Sequence, residues 1–392
     1  MNELDLDAMD LACGMMIGSE PECEGFAIPF QNEHPLTAIE AIVLKGLQCP
    51  PCLVSFSGGR DSSALLAVAV ELSRREGLAP PIPITARFTA EETHEEEWQD
   101  LVISHLEVSD WIKVDIGDEL DLLGPAGTGF LLRHGLRYPQ NTHFLDPLFR
   151  EAAGGSLVTG TGGDELFETH RWGRAAMVIS RTVPVQSSDL LVLGAAFSPR
   201  PIRARLHHRG DDIIPEWMLP AGRRSLLRRF HKWLGADRVA YDQHLKWWSQ
   251  SRYLRHGRQS FDLLASDHHV QLLAPFCNDR VIAALAADRD GVGFLTRTDA
   301  MKTLFGDLLP SMATERRTKA TFLSPLVGPK TREYAIRADP LDLVRTDWVS
   351  TSALQTAWQR KEVDVRSLPA LQMCWLAEHR PSVSTSANQF GP

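Results

Sequence analysis

The chain has no apolar run that approaches the length of a membrane span, so no membrane contact is expected. Its six cysteines in 392 residues are too few for a disulfide framework. Cys49 and Cys52 have CxxC spacing, but a tetrahedral zinc site wants a second close pair of ligands. Cys13 and Cys23 lie too far apart to be one, and a Pro-rich turn leading into a strand accounts better for the first pair. The first ten residues carry Glu3, Asp5, Asp7 and Asp10 where a signal peptide would need positive charge and then an apolar stretch, so a cytoplasmic protein is expected. Basic residues are in deficit as well, and a net charge of −9 argues against nucleic acid as a partner. What is present is the composition of a globular protein, 43% hydrophobic and 23% charged, with length for two or three domains.

One stretch concentrates the chemistry. Residues 53–56 form an apolar run that reads as a buried strand. Ser57, Gly58, Gly59, Arg60, Asp61, Ser62 and Ser63 follow, and residues 64–70 then begin a helix that Gly77 can close. A loop between the C-terminal end of a strand and a helix N-terminus gathers amide N–H groups and the positive end of the helix dipole, which suits an anion. Gly58 and Gly59 let the backbone approach closely, while Ser57, Ser62 and Ser63 add hydroxyl donors. A carboxylate beside phosphate is repelled unless a cation lies between them, so Asp61 reads as a Mg²⁺ ligand. A Walker loop would instead place Lys before the Ser. The loop resembles the pyrophosphate-binding loop of the N-type ATP pyrophosphatases, which cleave ATP to AMP and pyrophosphate.

Elsewhere, residues 36–47 have helical spacing, and 82–88 and 111–116 read as second and third strands. Between those strands a helix runs from a Thr93 cap through Leu106. Strand and helix alternate, which argues for a parallel sheet with helices on both faces. Residues 124–129 are glycine-rich and read as a surface loop. A fourth strand, 156–159, ends in Gly160, Thr161, Gly162, Gly163, Asp164 and Glu165. Ends of parallel strands meet at one edge, so Asp164 is expected to share the metal with Asp61. Residues 183–220 form a Pro-, Arg- and His-rich excursion. Leu226, Phe230, Trp233 and Leu234 then trace a helix whose other face holds Arg223, Arg224, Arg228, Arg229 and Lys232, a stripe that reads as solvated. Residues 245–254, 261–273, 281–287, 353–358 and 371–376 are helical in pattern. The expected fold is α/β, a parallel sheet with flanking helices followed by a largely helical C-terminal part. Its divisions are a short N-terminal extension (1–35), an ATP pyrophosphatase core (36–180), a mainly helical part that completes the synthetase domain (181–380) and a flexible tail (381–392).

The order of Ser57-Gly58-Gly59-Arg60-Asp61-Ser62, Gly160 to Phe167, Ala274-Pro275-Phe276, Leu309-Pro310 and Arg317-Thr318-Lys319-x-x-Phe322-x-x-Pro325 resembles the synthetase domain of the asparagine synthetase family. β-Lactam synthetases and lasso-peptide macrolactam cyclases share that domain. The resemblance implies adenylation of a carboxylate with ATP and Mg²⁺, release of pyrophosphate, and attack by an amine to form an amide. It implies that Ser57, Gly58, Gly59, Asp61 and Ser62 hold the pyrophosphate, that Gly160 lies in the cofactor site, that Asp61 and Asp164 bind Mg²⁺, and that Lys302 and Lys319 contact phosphate as catalytic residues. Val54, Phe56 and Phe88 resemble positions that line the adenine. The implied partners are small-molecule or peptide carboxylates and amines, with a partner protein delivering substrate or ammonia.

Two features depart from the pattern. Glutamine-using relatives carry a Cys directly after the initiator Met, whereas Asn2 stands here and about 35 residues precede the synthetase region, so no glutaminase domain is expected. Relatives carry Glu or Tyr where Thr161 stands, and acids where Gln271 and Asn278 stand. A Thr hydroxyl is no general base at neutral pH. A sulfur-transferring pyrophosphatase would want a catalytic Cys near the loop and a basic surface, and Cys49 and Cys52 precede the strand at its other end. A non-catalytic partner subunit that binds ATP or a peptide is the alternative that Thr161 leaves open.

Overall fold

The computed structural model describes residues 6–20, 33–88, 95–168, 170–207, 213–288, 292–316, 326–341 and 343–380. Lys319, the Thr93 cap, Cys23 and the tail 381–392 lie outside the described residues. Five parallel strands make one sheet: β1 (Cys52–Ser55), β2 (Ile82–Phe88), β3 (Ile112–Ile116), β4 (Ser156–Val158) and β5 (Gln271–Leu273), in the order β3-β2-β1-β4-β5. Among the helices of the N-terminal half are α1 (Ala8–Cys13), α2 (Pro35–Leu47), α3 (Arg60–Glu76), α4 (Glu96–Leu106) and α5 (Pro125–His134).

The central strands read as continuous apolar runs because helices cover both faces of the sheet. Successive side chains alternate between those faces. Cys52 and Val54 of β1 and Val158 of β4 pack with Ile39, Ile42 and Val43 of α2 and with Leu65 and Val68 of α3. Leu53 and Leu157 point the other way, onto Phe130, Phe149 and Leu264. Gly77, at φ 64°, closes α3 in the left-handed conformation, as its sequence position suggested.

Four strands lie where the sequence placed them, with ends shifted by at most one residue. Two expectations about element type fail. Residues 124–129 are not a surface loop but the start of α5. Pro125 takes the first helical position, and a Cβ on Gly127 would meet the Leu122 carbonyl oxygen at 2.1 Å. The glycine there serves close packing, and Phe130 and Leu131 bury the helix. The helical pattern at 261–273 breaks after Asp267, and β5 takes its last three residues onto the sheet. Three residues are too few for a strand to show its period.

The C-terminal half is helical around a second core that contains Trp217, Trp358, Leu368 and Leu371. Residues 6–17, from the expected N-terminal extension, contribute Leu6, Met9, Leu11, Ala12, Met16 and Ile17 to that core. Asp7 caps α1 by accepting from the Met9 and Asp10 amides, both at 2.9 Å. Trp217 Nε1 donates to the Ala12 carbonyl at 2.8 Å. Arg229, one residue of the stripe read as solvated, reaches Asp7 at 2.8 Å and Asp10 at 3.2 Å, while Arg252 pairs with Asp10 at 2.8 Å.

Candidate functional site

Strands β2 and β3 lie on one side of β1, and β4 and β5 on the other. The winding therefore reverses between β1 and β4, and the carboxyl ends of those two neighbours flank the crevice where open α/β sheets bind ligands. The loop after β1 and the loop after β4 both open there.

The first loop is held in shape by its own hydroxyls. Ser57 N–H donates to Ser62 Oγ at 3.2 Å, Gly59 N–H to Ser57 Oγ at 3.3 Å, and Ser62 Oγ–H to the Gly59 carbonyl at 3.1 Å. Gly59 is the N-cap of α3 and no side chain caps the helix, so the helix start faces the crevice with its amides and dipole. Gln99 Nε2 donates to the Ser57 carbonyl at 3.1 Å, and Arg316 Nη1 to the Gly58 carbonyl at 2.7 Å. Arg316 is itself buried, paired with Glu95 and stacked over Trp98 with its guanidinium carbon 4.9 Å from the ring centroid. It positions the loop rather than facing solvent.

The second loop approaches so closely that glycine is required. A Cβ on Gly163 would lie 2.5 Å from the Asp61 carboxyl carbon. The loop is fixed from beneath by Phe167, whose ring packs edge-on against Phe276 at 4.9 Å and Phe305 at 6.2 Å between centroids. Asp164 and Asp61 meet across the crevice through a residue the sequence did not single out. Arg297, at the start of the helix Arg297–Phe305, donates Nη2 to Asp61 at 2.5 Å and Nη1 to Asp164. An arginine in an amphipathic helix looks like any solvated charge, so nothing in the sequence marked it. Burial lowers the pKa of Arg60, and the nearby Arg297 guanidinium lowers it further, a crowding of positive charge around the loop.

Two carboxylates that share one guanidinium can also share one cation, so Asp61 and Asp164 fit the donor set of a Mg²⁺ site. Lys302 lies on the same helix as Arg297 but is half exposed, with its ammonium 2.5 Å from Glu315. Val54 and Phe56 are fully buried, Phe56 edge-on to Trp111 at 6.0 Å, and Phe88 is half-buried near Phe144.

Beside the second loop lies a cavity of about 500 Å³ whose walls include Thr161, Glu165, Tyr138, Tyr253, Arg258 and Gln271. Asp164 thus turns to the first loop while Glu165 lines the cavity. Thr161 Oγ1 lies 3.0 Å from Thr159 Oγ1, and the Cys277 thiol donates to the Thr161 carbonyl at 3.2 Å. Burial pushes the Tyr138 phenol and the Cys277 thiol each up to about 12, and the Glu165 carboxylate adds to both. Both stay protonated near neutrality, and Glu165 shares the cavity wall with them, with Arg258 and with Asp262, whose pKa burial raises.

The buried His170 and Asp237 form a separate cluster with the partly exposed His244, whose Nδ1 lies 2.8 Å from Asp237 Oδ1. No helix of the described residues is long and apolar enough to cross a membrane. The model of the asparagine synthase family matches residues 48–377 of the 392. No curated protein matches the chain.

Proposed function

Because the chain belongs to the asparagine synthase family of ATP-using carbon–nitrogen ligases, we propose that it makes an amide by way of an acyl-adenylate. The observation that carries this reading is the meeting of Asp61 and Asp164 on one guanidinium above the first loop. A carboxylate oxygen of the substrate attacks the α-phosphorus of ATP, and the bond to pyrophosphate breaks. The amine nitrogen then attacks the acyl carbon, AMP departs with the electrons of the C–O bond, and the amine gives up a proton.

In that sequence Ser57, Ser62 and the Gly58 and Gly59 amides hold the departing pyrophosphate. Arg60 and Lys319, with Lys302 once it leaves Glu315, offset charge that develops on the leaving oxygen. Asp61 and Asp164 would hold Mg²⁺, which supplies compensation for the triphosphate charge. Val54 and Phe56, whose side chains are buried in the core, offer only their backbone to the nucleotide, beside Phe88 and Gly160. Glu165, one residue beyond Asp164, orients the amine and accepts its proton, a task Thr161 cannot perform at neutral pH. The cavity is far roomier than ammonia or a free amino acid needs, which favours an amine carried on a larger substrate such as a peptide.

The test is isotope exchange between pyrophosphate and ATP by the purified chain, with aspartate plus ammonium run beside peptides with free carboxylates. Exchange that needs both Mg²⁺ and a carboxylate supports adenylation. ATP binding without exchange for any carboxylate points to a non-catalytic binding subunit, and efficient asparagine formation from aspartate and ammonium rules out the larger amine.

A further inference from the structure

The segment after the second loop carries a surface that the proposed ligase chemistry does not use. It includes the helices Gly173–Ile179, Asp189–Ala196 and Arg200–His207. Only a small core fastens it, with Trp172, Ala175 and Ala196 buried and Val192, Leu193 and Val239 packed against them. Its outer face exposes large apolar side chains among polar ones. Leu190 is 71% and Leu191 80% exposed, and Ile179, Val185, Phe197 and Ile202 are each at least half exposed. Scattered apolar side chains on a surface are ordinary, but six large ones within 24 residues form a patch of the kind that marks an interaction site.

The same segment is strongly basic in an acidic protein. Residues 170–207 hold six arginines and one acid, Asp189, and Asp189 is taken by Arg174 at 2.8 Å. Next to Phe197 lies an open recess of about 620 Å³ whose walls include Ser198, Arg200, Arg203, Arg238 and Gln243. Arg203 is 6% exposed. Its two terminal nitrogens donate to the Ala196 and Gly235 carbonyls at 3.4 and 2.6 Å, while its Nε has no hydrogen-bond partner among the described residues. Burial lowers the Arg203 pKa and the Arg238 charge lowers it further, with Asp237 opposing, so positive charge crowds this wall of the recess. A carboxylate in the recess would relieve it.

We propose that this face is a docking surface for an acidic segment of a partner polypeptide that also carries Leu or Phe side chains. Exposed apolar side chains beside a guanidinium-lined recess complement that composition, with the acids in the recess and the apolar groups on Leu190, Leu191 and Phe197. The recess is what favours a polypeptide over an anionic lipid surface. A flat sheet of headgroups cannot bring a charge to a buried guanidinium in a concave wall, whereas a side chain can.

The experiment uses the full chain and a short fluorescent peptide in which Glu alternates with Leu and Phe, read by anisotropy. Binding is expected to weaken with added salt and to vanish when Lys replaces Glu in the peptide. The double variant Leu191→Ser, Phe197→Ser is expected to lose about tenfold or more in affinity while its pyrophosphate exchange stays at the parental rate. Arg203→Gln removes a buried group and risks the fold, so Arg200→Gln with Arg238→Gln, both exposed, carries the charge arm with the same expected loss. Equal peptide binding by parent and variants overturns the proposal. So does sedimentation of the chain with phosphatidylserine vesicles while the peptide fails to bind, which would make the patch a membrane contact.

Discussion

At the sheet edge the single guanidinium of Arg297 spans Asp61 and Asp164; where the N-terminal segment meets the helical core, Arg229 and Arg252 together span Asp7 and Asp10. The ingredients are alike, and one acid of each pair is open, Asp7 at 43% and Asp164 at 45%; what differs is the inner acid, sealed in Asp10 and 14% exposed in Asp61. Asp10 is 0% exposed, and burial raises its pKa even though Arg252 bonds to it. The Asp164 side chain is 45% exposed. A sealed ion pair fastens two pieces of chain because neither charge can return to water alone. An open one can exchange its cation for another. The difference teaches that ionic chemistry alone does not separate a joint from a site; access does.

The sharpest way to break that comparison is at the edge. Asp61→Asn or Asp164→Asn is expected to lower Mg²⁺-dependent pyrophosphate exchange by about a thousandfold, roughly 4 kcal/mol of transition-state stabilisation, with little change in the urea midpoint. An edge variant that unfolds while still exchanging in its folded fraction would reverse the assignment. At the seam, Asp10→Ala removes the buried carboxylate that Arg229 and Arg252 share and should cost about 3 kcal/mol in urea unfolding. Exchange by the folded fraction should be unaffected, and a loss there would mean that the seam communicates with the site.

Smaller effects sharpen the contrast. Gly163→Ala drives a methyl group against the Asp61 carboxylate and is expected to slow exchange by up to about a hundredfold, the usual effect of ångström-scale misplacement. Arg297→Met removes the cation already seated between the acids. Calorimetry without nucleotide should then show Mg²⁺ binding tightened by about fivefold. An unchanged affinity would show that the guanidinium and the metal do not compete.

The two loops were legible in the sequence because their function demands unusual residues. Glycines, hydroxyls and a carboxylate between a strand and a helix have few other uses, and both loops lie where the alternation of strand and helix placed them. Arg297 was not legible, since its partners are 236 and 133 residues away and its own helix gives no sign of which way it turns. The seam was hidden for a similar reason. α1 is six residues long, too short to display a period, and the acids around it speak only against a signal peptide. In α5 the glycines misled because density of glycine reads as looseness, while Gly127 is there to admit the Leu122 carbonyl.

Asp164 and Glu165 are consecutive residues on one short helix, Gly163–Leu166, yet one bonds to Arg297 beside the first loop and the other lines the cavity. One peptide unit joins them, so a nucleotide or cation that shifts the first carries the second along. The two binding events are then thermodynamically linked, and the linkage is reciprocal. Whatever factor the metal nucleotide applies to affinity in the cavity, a cavity ligand must apply to the metal nucleotide. Titrating each ligand with the other absent and then saturating should return a single number, and order of addition should not change it.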